Sequence, residues 1–183
     1  AVEKVQYQEL SVTAAVTGGI DSNGMCPGDP SSYYERNGSY EMLPPGTINV
    51  FIYINQNLTD AAMLRALMIA SEAKASAVSH LLLGSCYSEE IATGSGTDGT
   101  VIASSMEGEL TLTDASGHSK LGELIGKVVS SAVKQALLAH NRTSNLVLCV
   151  SLYLHLMDQL RWGLIMEREA LRDGKRLLLY GLY

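Results

Sequence analysis

The sequence predicts a single α+β domain over all 183 residues, a mixed or antiparallel sheet packed with three long helices. Three observations predict it. Two stretches alternate apolar and polar residues as strands do. Three longer segments carry apolar residues at helical spacing. The elements run strand, strand, helix, strands, helix, helix, without the regular strand–helix alternation of a parallel fold. The length suffices for one sizeable core and is short for two.

The first strand is expected over residues 9–17, where Leu10, Val12, Ala14 and Val16 alternate and Gly18-Gly19 closes the run. Residues 18–46 are rich in Gly, Pro, Ser and Asn, and a connection of that length reads as a binding loop or lid. Residues 47–54 are the clearest strand. Ile48, Val50, Ile52 and Ile54 line one face and Asn49, Phe51 and Tyr53 the other, both bulky, so the strand is expected to be central and covered on both sides. A helix follows, capped by Asn57 or Thr59 and running to about Leu82. Residues 91–93 lead into a glycine-rich loop, residues 100–104 resume as a strand, and residues 109–113 are expected as its hairpin partner. Ser119 caps a second helix reaching about His140, with a stripe of Leu121, Leu124, Ile125, Val128, Ala132 and Ala136. A third, largely buried helix is expected over 146–166, within a C-terminal helical tail spanning 141–183.

Composition narrows the class. Thirteen basic against 19 acidic residues give a net charge of −6, which disfavours a nucleic-acid scaffold or an anionic-membrane binder, since either needs a positive field. The apolar run 146–166 carries His155, Asp158 and Arg161, costly in a membrane span. No basic start followed by an apolar run marks a signal peptide. Cys26, Cys86 and Cys149 are widely spaced, giving neither a disulfide framework nor a zinc motif, so a cytoplasmic location is expected.

Four places could carry chemistry. On the first helix, Met63, Leu67, Ala70, Ala77 and Leu81 form an apolar stripe with Lys74 in its middle. A lysine there is either functional, as a positioned ammonium or a base of lowered pKa, or structural, as a buried ion pair or a stem lying over the core. Glu72 points the other way and pairs with Arg65 if it is only a solvated residue. The segment Thr93-Gly-Ser-Gly-Thr-Asp-Gly99 can turn its amides inward as an anion-binding nest, with Thr93, Ser95 and Thr97 hydroxyls and the Asp98 carboxylate beside it, or serve as a tight turn. His118 precedes a helix N-terminus, where the dipole keeps imidazole neutral, as a general base must be; otherwise it is a capping or surface histidine. Asn49 on the central strand is placed to orient a loop or a substrate amide. The other histidines, His80, His140 and His155, read as structural.

Several phrases occur in order along the chain: Pro45-Gly-Thr-Ile-Asn49, Asn55 with Leu58, Ser71-Glu-Ala-Lys74, Ala92-Thr-Gly-Ser-Gly-Thr-Asp98 and Gly117-His-Ser-Lys-Leu-Gly122. Together they resemble the adenosylcobinamide amidohydrolase family of corrinoid salvage, from about Leu10 to Leu138, and Ala15-Val-Thr-Gly-Gly19 and Gly28-Asp29 fit its preceding segment. Ser95 stands where a threonine is common in that family, and the resemblance implies a further N-terminal region ahead of Ala1. It also implies an amidase that cleaves the aminopropanol amide of adenosylcobinamide to leave adenosylcobyric acid for cobalamin synthesis.

Of the residues on or beside these motifs, chemistry makes Asp98, His118, Lys74, Thr93 and Thr97 the candidate catalytic residues and Asn49, Glu72, Gly94, Ser95 and Gly96 the candidate substrate-binding ones. Chemistry then suggests the roles. Asp98 or His118 activates water or a threonine hydroxyl, the 94–99 amides hold the oxyanion, and Lys74 pairs with Asp98 or protonates the leaving amine. No metal or cofactor is expected, and the partner is a small corrinoid, with no nucleic acid or membrane; a homo-oligomer is compatible. The corrin is expected against the 20–46 loop, beside Tyr33, Tyr34 and Tyr40. Two other readings remain: a non-catalytic corrinoid-binding protein, and an autoprocessing hydrolase with a threonine nucleophile.

Overall fold

A computed structural model describes residues 1–34 and 46–140. All of these belong to the unit Ala1–Thr143, the first of two into which the chain divides. Its centre is a four-stranded mixed sheet in the order β1-β2-β4-β7, built from β1 (Val2–Tyr7), β2 (Leu10–Gly19), β4 (Thr47–Ile54) and β7 (Gly99–Ser104). β2 runs antiparallel to β1 and β4, whereas β4 and β7 are parallel. That parallel pair requires a crossover, and α1 (Asp60–His80) supplies it. The remaining elements are two short ribbons, β3 (Gly24–Met25) with β6 (Gly94–Ser95) and β5 (Asn57–Leu58) with β8 (Thr111–Leu112), and the helix α2 (Lys120–His140).

Helix boundaries follow their caps. Thr59 Oγ1 accepts from the Ala62 amide at 3.3 Å and starts α1, with Asp60 in the first turn. Ser119 Oγ accepts from the Gly122 amide at 3.0 Å and starts α2. Both helices pack on one face of the sheet, α2 across β1 and β2 and α1 beside β7. Val12, Ala14, Val16, Ile48, Val50, Ile52 and Ile54 point into that layer and are buried. Covering each such valine or isoleucine contributes about 1.5–3 kcal/mol.

Four expectations change. β4 is central in the sheet but covered on one face only, since Phe51 and Tyr53 are 47% and 42% exposed. The α1 stripe is rotated: Ala62, Ala66, Ala70 and Ala77 are buried, while Leu64, Leu67 and Met68 stay exposed. Small side chains let α1 lie close to the bulky Leu124, Ile125 and Val128 of α2, so size misled the reading. Residues 109–113 do not fold back on β7. Gln56 intercepts them, its Oε1 accepting from the Leu110 amide at 2.9 Å, and β8 pairs in parallel with β5. Finally, the chain adds β1, which pattern reading passed over, and two helices stand among the described residues; the helix expected over 146–166 and the tail 141–183 lie outside them.

Candidate functional site

The β3–β6 ribbon holds the glycine-rich segment against the N-terminal ends of β4 and β7. The Thr93 amide donates to Met25 O at 3.0 Å and the Gly96 amide to Asn23 O at 3.3 Å. Asn23, only 2% exposed, donates through Nδ2 to Gly46 O at 2.9 Å and to Thr97 Oγ1 at 3.4 Å, and accepts from the Tyr87 hydroxyl at 2.9 Å. Thr97 Oγ1 donates to Gly46 O at 2.9 Å, and Thr47 Oγ1 donates to Thr97 O at 2.8 Å. The loop is thereby fixed on three sides before Asp98 is considered.

Asp98 is the hub. Its Oδ1 accepts from the Ile48 amide at 3.0 Å and from Ser95 Oγ at 2.6 Å. Its Oδ2 accepts from the Ser95 amide at 3.1 Å and from Lys74 Nζ, with which it forms an ion pair. The Lys74 and Asp98 side chains are 16% and 10% exposed. Of the readings weighed for Lys74, the ion pair is therefore present, and it reaches across from α1 to the loop. Gly94 lies directly beneath it: a β-carbon there would land on Asp98 Oδ2 and 2.6 Å from Lys74 Nζ. The pair and the glycine are one arrangement.

This geometry departs from the expected nest. The Ser95, Gly96 and Thr97 amides are engaged by Asp98 Oδ2, Asn23 O and Ser95 Oγ respectively, so they do not converge on an empty anion site. Left-handed glycines among the described residues are Gly28 and Gly46, not Gly96. Asp98 accepts four hydrogen bonds, which suits an anchor more than a base for water. Lys74, with N–H donors beyond the one given to Asp98, is the electrophilic group of the cluster.

The other expected residues lie apart from this hub or at its rim. Asn49 is exposed on β4, opposite Gly99 in register, and its carboxamide has no hydrogen-bond partner among the described residues. Thr93 keeps a hydroxyl without a side-chain partner there. Glu72 lines a separate cleft of about 340 Å³ between α1 and α2, with Ser76, Gly117, Gly122 and Gly126. It forms no ion pair with Arg65 among the described residues; the Ser116 hydroxyl foremost, helped by the Arg65 charge, holds the Asp114 carboxyl below its ordinary value. His118 is exposed in the turn before α2 and has no partner among the described residues.

Pattern reading also missed a second polar cluster. Asp29 accepts from the Cys26 amide at 2.8 Å, Cys26 Sγ at 3.3 Å, Ser85 Oγ at 2.6 Å and Ser88 Oγ at 2.5 Å. The serine hydroxyls foremost hold its carboxyl well below the usual carboxylate range. Burial and the neighbouring Asp29 push the Cys26 thiol up, away from the reactive thiolate. Asp29 and its hydroxyl partners are 56 or more residues apart in sequence, so no local spacing could announce them. Among the described residues, no three His, Cys, Asp or Glu side chains gather as a metal site, and no helix is long and apolar enough to cross a membrane.

Comparison with known proteins bears on the same residues. The family model described as adenosylcobinamide amidohydrolase, CbiZ, matches residues 1–145. The uncharacterized protein MJ1613 of Methanocaldococcus jannaschii is 34% identical over 153 residues, covering 78% of this chain and 59% of that protein. The chain thus spans about three-fifths of the length of the curated relative it matches. No solved structure matches it.

Proposed function

Because this chain belongs to the adenosylcobinamide amidohydrolase family, we propose that it hydrolyses the amide between the aminopropanol arm and the corrin ring of adenosylcobinamide, releasing adenosylcobyric acid for cobalamin salvage. The observation that carries this reading is the Lys74–Asp98 pair seated on Gly94, a fixed ammonium at the edge of the glycine-rich loop. Asp98 positions the ammonium. Lys74 donates to the amide carbonyl oxygen and stabilises it as it becomes an oxyanion. Water adds to the carbonyl carbon, and its proton passes to the departing nitrogen as the C–N bond breaks; His118, which lies apart from the pair, is left outside this step. Asn49, with its unpartnered carboxamide, orients the substrate. The reaction is placed in the cytoplasm, a reading that the free thiols of Cys26 and Cys86 support.

The test is incubation of the full chain with adenosylcobinamide, followed by mass spectrometry. The expected result is stoichiometric adenosylcobyric acid and aminopropanol. Tight binding without product would make the chain a corrinoid-binding protein instead. A cleaved chain in the intact-mass spectrum would point to autoprocessing at a threonine.

A further inference from the structure

The face of the sheet turned away from the helices is unusually apolar for a surface. The cross-strand registers place Val2, Ala15, Phe51 and Val101 in one row across all four strands, and Tyr53 continues it on β4. Val2, Phe51 and Val101 are 69%, 47% and 57% exposed. A concavity of about 410 Å³ lies over this row, bounded by Thr17, Asn49 and Gly99 as well. Four strands make a platform about 14 Å wide. An apolar platform of that kind left open to water marks a binding surface.

Resting on the corrinoid reading above, we infer that this open face holds the corrin ring, stacked on the row of Val2, Ala15, Phe51 and Val101 with Asn49 at its rim. Three features favour that occupant. The platform is broad, apolar and shallowly concave, and it suits the apolar face of a tetrapyrrole-derived macrocycle. The rim of a corrin carries carboxamides, and the carboxamide of Asn49 can both donate to and accept from one. The platform is also continuous with the catalytic loop. Asn49 follows Ile48, whose amide binds Asp98, and Gly99 follows Asp98 itself. Asn49 Oδ1 lies 2.9 Å from where a β-carbon of residue 99 would stand, so the glycine keeps that rim clear. A ring stacked here carries its arm at the edge, over the strand ends at Thr47 and Gly99, toward Lys74. The sheet, more than the 20–46 segment, then provides the broad contact.

Two variants on the platform test this, Val101→Glu and Phe51→Ser, against a control on the outer side of α1, Leu64→Glu, whose parent residue is 66% exposed. Affinities for adenosylcobinamide and for adenosylcobyric acid, which lacks the arm, are measured by equilibrium dialysis beside kcat and sedimentation. Both platform variants are expected to weaken both corrinoids by about tenfold or more. Their kcat at saturation should stay within about threefold of the parent, since uniform binding is what is lost. The control should behave as the parent. Parent-like affinities in both platform variants, with the parent still hydrolysing its substrate, would overturn the inference and leave the amidase standing. A parent that neither binds nor cleaves a corrinoid would overturn both. A change of sedimenting mass with unchanged corrinoid affinity would make a second copy the occupant and also overturn it. Should either variant unfold, Phe51→Trp decides: quenching of its emission by adenosylcobyric acid supports the stacked ring, and unquenched emission at saturation overturns it.

Discussion

Asp98 and Asp29 each follow one strand of the same β3–β6 ribbon, and each carboxylate accepts four hydrogen bonds. Asp29 takes them from an amide, a thiol and two serine hydroxyls, all neutral. Asp98 takes three from the backbone and Ser95, and the fourth from Lys74. Neutral donors are enough to tie loops together, as Asp29 shows by joining the 26–29 turn to Ser85 and Ser88. An ammonium drawn from a helix onto a glycine is more than a tie requires. Long side chains lose rotamer freedom when held, and a desolvated pair returns little net stability. On the proposed function the charge beside Gly94 serves chemistry, and the neutral cluster serves architecture.

The sharpest way to break this contrast is Lys74→Met, which keeps the stem and removes the charge. On the proposed reading kcat falls by about 10²–10⁴, the usual worth of a positioned donor or acid. Thermal stability should fall as well, since Asp98 is left largely buried without its counter-charge, so kcat is compared on folded protein at saturation. Asp98→Asn should lose a similar factor, and the double variant little more than either alone, because residues acting as a unit are strongly non-additive. A fully active Lys74→Met would make the two aspartates equivalent ties.

How far the sequence disclosed this contrast depends on distance along the chain. Period-two alternation located β4 to the residue, and Thr59 and Ser119 announced the two helix starts through their hydroxyls. Helical spacing singles out Lys74, and the sequence leaves it two roles, as a counter-charge to Asp98 or as a donor to the leaving amine; only the fold brings Lys74 and Asp98 together. The rotation of α1 escaped, because alanines bury themselves by allowing close approach and carry no hydrophobic signature. Asn23, Ser85 and Ser88 escaped as well, since a hydroxyl or amide gains its meaning only when a distant segment is folded against it. The open face of β4 was misjudged for a related reason. Bulky residues on both sides of a strand look alike in sequence whether a helix or a ligand covers them.

Glycine substitutions sharpen the comparison further. Gly94→Ala drives a methyl into the Lys74–Asp98 pair, which must separate or shift. A displacement on the order of 1 Å in a catalytic group costs up to about 10²-fold, so kcat is expected to drop while the fold persists. Gly96→Ala is the control within the same loop. Its β-carbon would meet Met25 Sδ at 3.3 Å and Asn23 Oδ1 at 3.5 Å, and the backbone there is not left-handed. Methionine yields easily, so Gly96→Ala should keep kcat near the parent value. Steady-state kinetics on adenosylcobinamide distinguish the two, and the reverse ranking would move the chemistry to the crest of the loop.

The smallest effect is expected at Asp29. In Asp29→Asn the side chain retains one accepting oxygen and sets an NH₂ group against donors from Ser85, Ser88 and Cys26, so hydrogen bonds are lost and the 26–29 turn loosens. The melting temperature should fall modestly, because the group is partly solvated and its interactions are screened, while kcat at saturation stays unchanged. The pH dependence gives the sign independently. The folded carboxyl titrates well below its ordinary value of 3.8, so the folded state binds fewer protons than the unfolded one in that interval. The resulting stabilisation is fully present above about pH 4 and is lost as the pH falls through the folded value. Melting curves of parent and variant should therefore be separated by a constant gap from neutral pH down to about pH 4, and the gap should close at lower pH. A gap that persists into acid would mean that the turn is held by shape and not by the ionised carboxylate. A loss of kcat in the same variant would place Asp29 within the catalytic machinery, and the division between a charged working pair and a neutral tie would no longer hold.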